Sequence, residues 1–422
     1  MTTTPPRTTA PVAGEATGAF AWYQTMSKRG QRAFKGAFGG YALDSYDFQV
    51  LPLGMAAITA YFTLSTSQTG LLTTATLLAS AVGGVLAGVL IDRLGRVKTL
   101  MITVVTYAVF TVACGFANSY EMLLAMRTLQ GIGFGGEWAA GAILVAEYAK
   151  PRYRGQVLAW VQSSWAVGWG LAVIVSTILL DTVDQDIVWR ILFWTGALPA
   201  VLLIYVRLKV KDAPEVAEKL TKKETRVPVT AVFRGGLARK TIFATMLSMG
   251  VMGGYYTFAT WLPTYLKTER GLSAVGTGGY LFVLITGAFL GYVSAGYIID
   301  RLGRKKSFAL FAFLSAGLLM AYVQIPAGSN TLLMFAGFPL GFCASAIFSG
   351  FGSYLAELYP VEVRGTGQSL TYNVGRALGA IFPTAVGFSG GVGGALTYGA
   401  IGYAIAVVAL LGLPETKGSE LS

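Results

Sequence analysis

Histidine is absent from the 422 residues. Without imidazole there is no histidine metal ligand and no histidine proton relay, so proton chemistry falls to carboxylates. Cysteine occurs twice, as Cys114 and Cys343, each inside an apolar stretch and with no CxxC spacing. That argues against a disulfide framework or a thiolate metal site and leaves two small buried hydrophobes. No metal or other cofactor is expected. Charge is scarce as well: 12% of residues are charged, where a soluble protein carries about 25%. No G-x-x-x-x-G-K-[ST] phosphate loop occurs, which argues against ATP-driven transport by this chain and gives an enzymatic reading little support. The opening "MTTTPPRTTAPVAGEATG" lacks an apolar core. It reads as a disordered tail rather than a cleaved signal peptide.

What is abundant is apolar length. Hydrophobic residues make up 54% of the chain, with a mean hydropathy of +0.60. Charge-free runs at 99–120, 155–180, 241–266 and 271–299 each suffice for a membrane crossing, and 48–91 and 307–356 for two. The 54 glycines suit closely packed membrane helices. The pattern predicts an all-α membrane protein with twelve transmembrane helices, roughly 36–58, 69–91, 99–117, 120–146, 155–180, 188–206, 241–266, 275–299, 307–325, 331–356, 366–388 and 392–413. Placing both termini in the cytoplasm puts most of the 32 Lys and Arg on that side, while the opposite side holds Lys267 and Arg270. The net charge of +12 then reflects topology and contact with the lipid bilayer, not nucleic-acid binding. Residues 1–30 form the tail, 31–206 a six-helix bundle, 207–240 a charged cytoplasmic linker, 241–414 a second bundle, and 415–422 a cytoplasmic tail.

The two halves repeat. "GVLIDRLGRVK" at 88–98 recurs as "GYIIDRLGRKK" at 296–306, and "EYAKPRYRG" at 147–155 as "ELYPVEVRG" at 357–365. Duplicated six-helix halves around a central site are what alternating-access transporters use. On these motifs, together with "RTLQGIGFGG" at 127–136 and "PETKG" at 414–418, the chain resembles the major facilitator superfamily from about residue 30 to 418. The resemblance implies a plasma-membrane transporter, the inner membrane if bacterial, with a monomeric functional unit. It also implies a cytoplasmic gate built from Gly88, Asp92, Arg93, Arg96, Glu147 and Arg154 in the first half and Gly296, Asp300, Arg301, Arg304, Glu357 and Arg364 in the second. The glycines allow close helix packing, and the acids sit at helix ends where an Arg can pair across the halves. Within the superfamily, "LDSYDF" at 43–48 resembles the signature of organic-acid proton symporters of the aromatic-acid and sialic-acid/lactate groups, although Ser45 stands where many relatives have Gly. "GYYTFATWLPTYL" at 254–266 and "GQSLTYNVGRALGAIFP" at 367–383 look like the same groups. The sugar-binding pattern of sugar porters and the helix-5 motif of drug antiporters are both missing.

Leaving aside Glu121 and Arg190 near helix ends, five charges fall deep inside expected helices: Asp44, Asp47 and Glu137 against Arg127 and Arg376. Ionisable groups at membrane depth mark functional sites. Counting from Gly36 at about 1.5 Å per residue, Asp47 lies roughly 16 Å deep, near the middle of a core of about 30 Å; Arg376 reaches a similar depth of ~15 Å. Three acids against two bases leave an excess negative charge, which an anionic substrate would worsen unless a proton came with it. Asp44, Asp47 and Glu137 are therefore the candidates for proton coupling, with one Asp of the pair as carrier. Arg376 is the candidate carboxylate clamp, because guanidinium offers a bidentate fork. Asn373 shares its face, and Arg127 either joins the substrate site or pairs with an acid as the proton moves. Each of these charges could instead simply hold helices together. Trp138, Trp165, Trp169, Tyr255, Tyr256, Trp261 and Tyr372 could line an aromatic pocket or fill gaps. The expectation is symport of a small organic acid anion with H⁺. Its alternatives are proton-coupled sugar or polyol symport, prompted by "PETKG", and a transport-dead nutrient receptor.

Overall fold

Ser27 sets the start of the first long helix, its hydroxyl accepting the Gly30 N–H at 3.1 Å. In the computed structural model the described residues are 20–149, 153–198, 205–206, 208–210, 229–360, 363–386 and 392–417, and some side chains within helices lie outside that set. A short helix α1 (Ala21–Gln24) precedes α2 (Lys28–Phe62), which contains Pro52 and stops at Thr63 in the left-handed region (φ 51). There follow α3 (Thr66–Leu94), α4 (Arg96–Cys114), α5 (Tyr120–Tyr148), α6 (Arg154–Thr182) and α7 (Gln185–Trp194). The second half holds α8 (Leu237–Thr268), α9 (Ala274–Leu302), α10 (Arg304–Gln324), α11 (Asn330–Ala346), α12 (Phe351–Leu358), α13 (Arg364–Gly379), α14 (Ile381–Val386) and α15 (Val392–Leu411). A 3₁₀ turn, Ile347–Gly350, joins α11 to α12. No strand occurs among the described residues.

Every helix range expected from sequence overlaps a described helix. Among the described residues, six spans are long and apolar enough to cross a membrane, including Thr66–Ala87, Gly155–Thr182 and Ala274–Ile299. One expectation is corrected. Residues 21–24 and 28–30, assigned to the disordered tail, are helical. The reason is Trp22, which is 3% exposed, stacks on Trp160 at a ring distance of 6.0 Å and packs at a tilt against Phe34 at 5.0 Å.

The duplication is visible in the backbone. Gly95, between α3 and α4, has φ 89 and ψ 168; Gly303, between α9 and α10, has φ 94 and ψ 162. Both occupy the "RLGR" turn, and a φ this positive favours glycine. Packing repeats too. A Cβ on Gly135 of α5 would lie 1.7 Å from the Ser80 carbonyl oxygen of α3, and one on Gly341 of α11 would lie 2.0 Å from that of Leu284 in α9. In each half the same helix pair therefore meets backbone to backbone, the close approach that substitutes for hydrophobic driving force between membrane helices.

The halves meet through α2 with α8, α6 with α9, and α3 with α13 and α14. The large apolar core runs across this seam, from Tyr46 and Leu51 to Trp261 and Tyr292. One end of the molecule carries the "RLGR" turns and is here called the basic end; the other carries Thr63, Lys267 and Ser329.

Candidate functional site

At mid-depth, where the halves face each other, lies a small cavity. The first half contributes Tyr41 and Asp44 from α2, Phe134 from α5, and Gln162 and Trp165 from α6. The second contributes Tyr255 and Tyr256 from α8, Tyr292 from α9, Phe348 from the 3₁₀ turn, and Tyr372 and Arg376 from α13. Helical spacing explains the sets: Tyr41/Asp44 and Gln162/Trp165 are i, i+3 pairs, and Tyr372/Arg376 an i, i+4 pair, so each pair shares a face. Gln162 donates to the Tyr41 hydroxyl at 3.0 Å, and the Trp165 indole N–H donates to the Tyr255 hydroxyl at 2.8 Å. The second bond spans the two halves.

Arg376 is 4% exposed, and among the described residues no hydrogen bond reaches its Nε or Nη1. Its guanidinium carbon stands 5.1 Å from the Tyr372 ring and 5.8 Å from the Phe134 ring. Aromatic faces thus hold the cation while leaving fork nitrogens for a ligand. Asp44, 1% exposed, lines the same cavity. What the site offers is one cation, one carboxylate and eight aromatic walls.

Asp47 is three residues from Asp44 but faces elsewhere. Three residues turn a helix by about 300°, and the resulting 60° offset aims Asp47 at α5. Its Oδ2 accepts from the Gln130 amide, and its Oδ1 would lie 3.2 Å from a Cβ on Gly196. Arg127, one turn from Gln130 on α5, is fully buried, with its guanidinium carbon 5.9 Å from the Phe193 ring. No hydrogen bond satisfies its three guanidinium nitrogens among the described residues, and it acts on Asp47 electrostatically. The structure therefore divides the buried charges into a cavity pair, Asp44 and Arg376, and an Asp47–Gln130–Arg127 cluster inside the first half.

The whole chain compares with known proteins. Residues 37–383 and 281–421 match the Major Facilitator Superfamily. The chain belongs to the Major Facilitator Superfamily. It is 36% identical over 406 residues to a probable 4-methylmuconolactone transporter of Cupriavidus pinatubonensis, covering 94% of each chain. To the cis,cis-muconate transport protein of Acinetobacter baylyi it is 30% identical over 396 residues, covering 91% of this chain and 94% of that one. The fold matches the inward-open xylose transporter XylE from E. coli with a TM-score of 0.71 at 20% identity, over 92% of this chain and 97% of the other. This superfamily member is a multi-pass membrane protein and not an enzyme.

Not every expected residue of this Major Facilitator Superfamily chain joins the site. Asn373 is turned away from the cavity: its side-chain amide donates to the Ser369 carbonyl at 3.0 Å, and its Oδ1 lies against Gly84 of α3. That close seat, opposite a residue with no Cβ, is what holds it between α13 and α3. Trp261 donates to the Pro383 carbonyl at 3.0 Å, and Trp169 packs beneath Tyr255 and Phe258 rather than lining the cavity. Gly88 and the side chains of Glu137, Trp138, Asp92, Arg93, Arg96, Glu147, Arg154, Asp300 and Arg364 lie outside what the structure describes. Of the remaining gate candidates, Gly296 has open space around it and Arg301 is exposed. Arg304 pairs with Glu357 of the same half at 2.9 Å, and Thr416 donates to Glu357 at 2.5 Å. Glu415 accepts from the N–H groups of Arg304 and Lys305 at 2.8 and 3.1 Å, so the "PETKG" tail caps α10, whose own N-cap, Gly303, has no side chain to do so. Burial works against ionising the Glu415 carboxyl, but backbone N–H donors outweigh it and hold the group below its usual value.

Sequence reasoning missed Tyr41, Phe134, Gln162, Tyr292 and Phe348 of the cavity, and Gln130 of the Asp47 cluster. The i, i+3 spacing of Tyr41 to Asp44 and of Arg127 to Gln130 was the available signal.

Proposed function

We propose that this chain is a secondary active transporter carrying a small organic acid anion together with a proton by alternating access. The observation that carries this reading is the Arg376 guanidinium, the one cation among the residues lining a cavity shared by both halves. A substrate carboxylate can take its free fork nitrogens bidentately. The aromatic walls favour a flat aromatic or unsaturated body, since ring faces pair well with ring faces. Two relatives are named as a probable 4-methylmuconolactone transporter and a cis,cis-muconate transport protein, and both named compounds are unsaturated.

Proton coupling follows from charge. Asp44 and Arg376 balance, so an incoming anion leaves one uncompensated negative charge at membrane depth, which costs several kcal/mol. A proton taken up on a helix-α2 carboxylate cancels it. Asp47 is the carrier in this reading, because it is held by Gln130 and Arg127 without touching the substrate cavity. Both carboxylates ride on α2, so a change at one is carried to the other by a single helix. The basic end faces the cytoplasm, with both termini on that side, and its duplicated turns form the gate between bundles 31–206 and 241–414 of one monomer.

Counterflow of labelled benzoate in proteoliposomes tests the substrate class. Aromatic and unsaturated monocarboxylates should compete, whereas lactate and sialic acid should compete poorly. Competition by hexoses or xylose alone would move the assignment to sugar symport and leave Arg376 a structural role.

A further inference from the structure

A second small cavity lies between α2, α6, α8 and α9, four of the helices that line the first, toward the end opposite the basic turns. It is lined by Pro52 of α2, Thr177 of α6, Thr264 and Lys267 of α8, and Thr277 and Gly278 of α9, among others. Along each helix it sits two to three turns beyond the central cavity: Asp44 gives way to Pro52, Trp165 to Val173, Tyr256 to Pro263 and Tyr292 to Leu281. On α2 that separation is about 12 Å. Between the two levels lie Phe48, Trp169 and Phe258, each no more than 1% exposed. Phe48 packs on Tyr256 at 5.7 Å, and Trp169 on Phe258 at 6.5 Å. The two cavities are thus stacked chambers with an aromatic layer between them.

The outer chamber has the chemistry of an anion site. Lys267 is its one charged lining residue, and no acid lines it. Thr277 is 6% exposed, and its hydroxyl has no hydrogen-bond partner among the described residues; the same holds for the Thr264 hydroxyl. Buried hydroxyls are normally satisfied, so an unsatisfied pair beside a cation marks a place where an acceptor belongs. A lysine in the last turn of α8 would stabilise that helix terminus by itself, but a lysine serving the terminus alone has no need to line a cavity with two idle hydroxyls.

We propose that this outer chamber is a distinct carboxylate-binding station, in which Lys267 and the Thr277 and Thr264 hydroxyls hold the substrate anion before the aromatic layer admits it to Arg376. This inference rests on the organic-anion reading above and extends it to a second site. The station concentrates anions by charge, so its contribution is salt-sensitive.

The experiment uses the full chain and benzoate as probe. In the Arg376→Gln variant, with folding checked by its elution as a single species, calorimetry should show residual millimolar benzoate binding that disappears when Lys267→Gln is added. In transport, Lys267→Gln alone should raise KM about five-fold with the maximal rate within two-fold, consistent with a partly screened charge pair. Lys267→Arg should restore KM, and Thr277→Val should raise it two- to three-fold. The KM of the parent should rise with ionic strength while that of Lys267→Gln stays flat. Normal transport in Lys267→Gln with unchanged KM and salt response, or loss of all benzoate binding in Arg376→Gln, would overturn the outer station and leave the transport reading intact. A parent protein that moves no organic acid would overturn both.

Discussion

Replacing Arg376 tests the cavity most sharply, because three variants separate charge, geometry and packing. Arg376→Gln removes the cation and both fork nitrogens left open at Nε and Nη1, while keeping polarity and approximate length. Truncating one partner of a buried charge pair costs about 2–5 kcal/mol, and about 1.4 kcal/mol is a factor of ten. Benzoate affinity should therefore fall roughly 30- to 4000-fold. Arg376→Lys keeps the charge but not the planar fork or its stacking at 5.1 Å from Tyr372. It should lose roughly ten-fold, about the worth of one charge-assisted hydrogen bond. Methyl benzoate has no carboxylate charge, so it should bind the parent and Arg376→Gln alike and report whether the aromatic walls survive. Because Arg376→Gln also leaves Asp44 without its cation in the cavity, the Asp44→Asn/Arg376→Gln double variant should be more stable to heat than Arg376→Gln alone. Binding is measured by tryptophan quenching, with Trp165 in the cavity wall as reporter. Benzoate affinity in Arg376→Gln within three-fold of the parent would refute the assignment.

Three further outcomes are expected. Gly135→Leu, at the position where even a Cβ would stand 1.7 Å from the Ser80 carbonyl oxygen, should force α3 and α5 apart; a loss above about 3 kcal/mol, seen as failure to yield a monodisperse protein, is predicted, and a thermal midpoint within a few degrees of the parent would contradict it. Glu415→Ala removes the remote cap of α10 and should cost about 0.5–1 kcal/mol at pH 7 in thermal unfolding. The folded Glu415 carboxyl is held below its unfolded value of 4.5, so its stabilisation is present above that pH and fades as pH falls through the lower folded value. The gap between parent and Glu415→Ala should accordingly narrow from pH 7 to pH 3.5, and a gap that widened would be the wrong sign. Gln130→Leu strips Asp47 of its hydrogen bond while leaving the cavity untouched, so it should shift the pH profile of uptake with little change in benzoate affinity.

Much of the fold was legible because a few residues do work that no other type can do. Gly95 and Gly303 sit at positive φ in both copies of the "RLGR" turn, so the repeat in sequence is a repeat in backbone. Arg376 was identifiable from its charge alone, since a guanidinium at membrane depth needs a reason. The split between Asp44 and Asp47 was less legible. Their i, i+3 spacing suggests one shared face, yet a 60° offset separates a cavity wall from a cluster once both sides of the helix are packed. Asn373 was misread for the same reason: its orientation is decided by Gly84 on another helix. Gln130 carries no charge, and beyond its spacing from Arg127 nothing in sequence distinguishes a buried glutamine holding a carboxylate from one facing headgroups. The tail was read as a subfamily mark, whereas its structural task, capping α10 through Glu415, depends on a partner more than a hundred residues away.

The central claim is that an organic anion and a proton move together, with Asp47 carrying the proton. The direct measurement is lumenal pH in proteoliposomes loaded with a trapped dye, at equal starting pH and with protein-free vesicles as baseline. Addition of benzoate or an unsaturated monocarboxylate should acidify the lumen faster than the baseline in the parent, and no faster than the baseline in Asp47→Asn, which should still bind the acid. Anion uptake by the parent without excess acidification, or unchanged acidification in Asp47→Asn, would contradict the account.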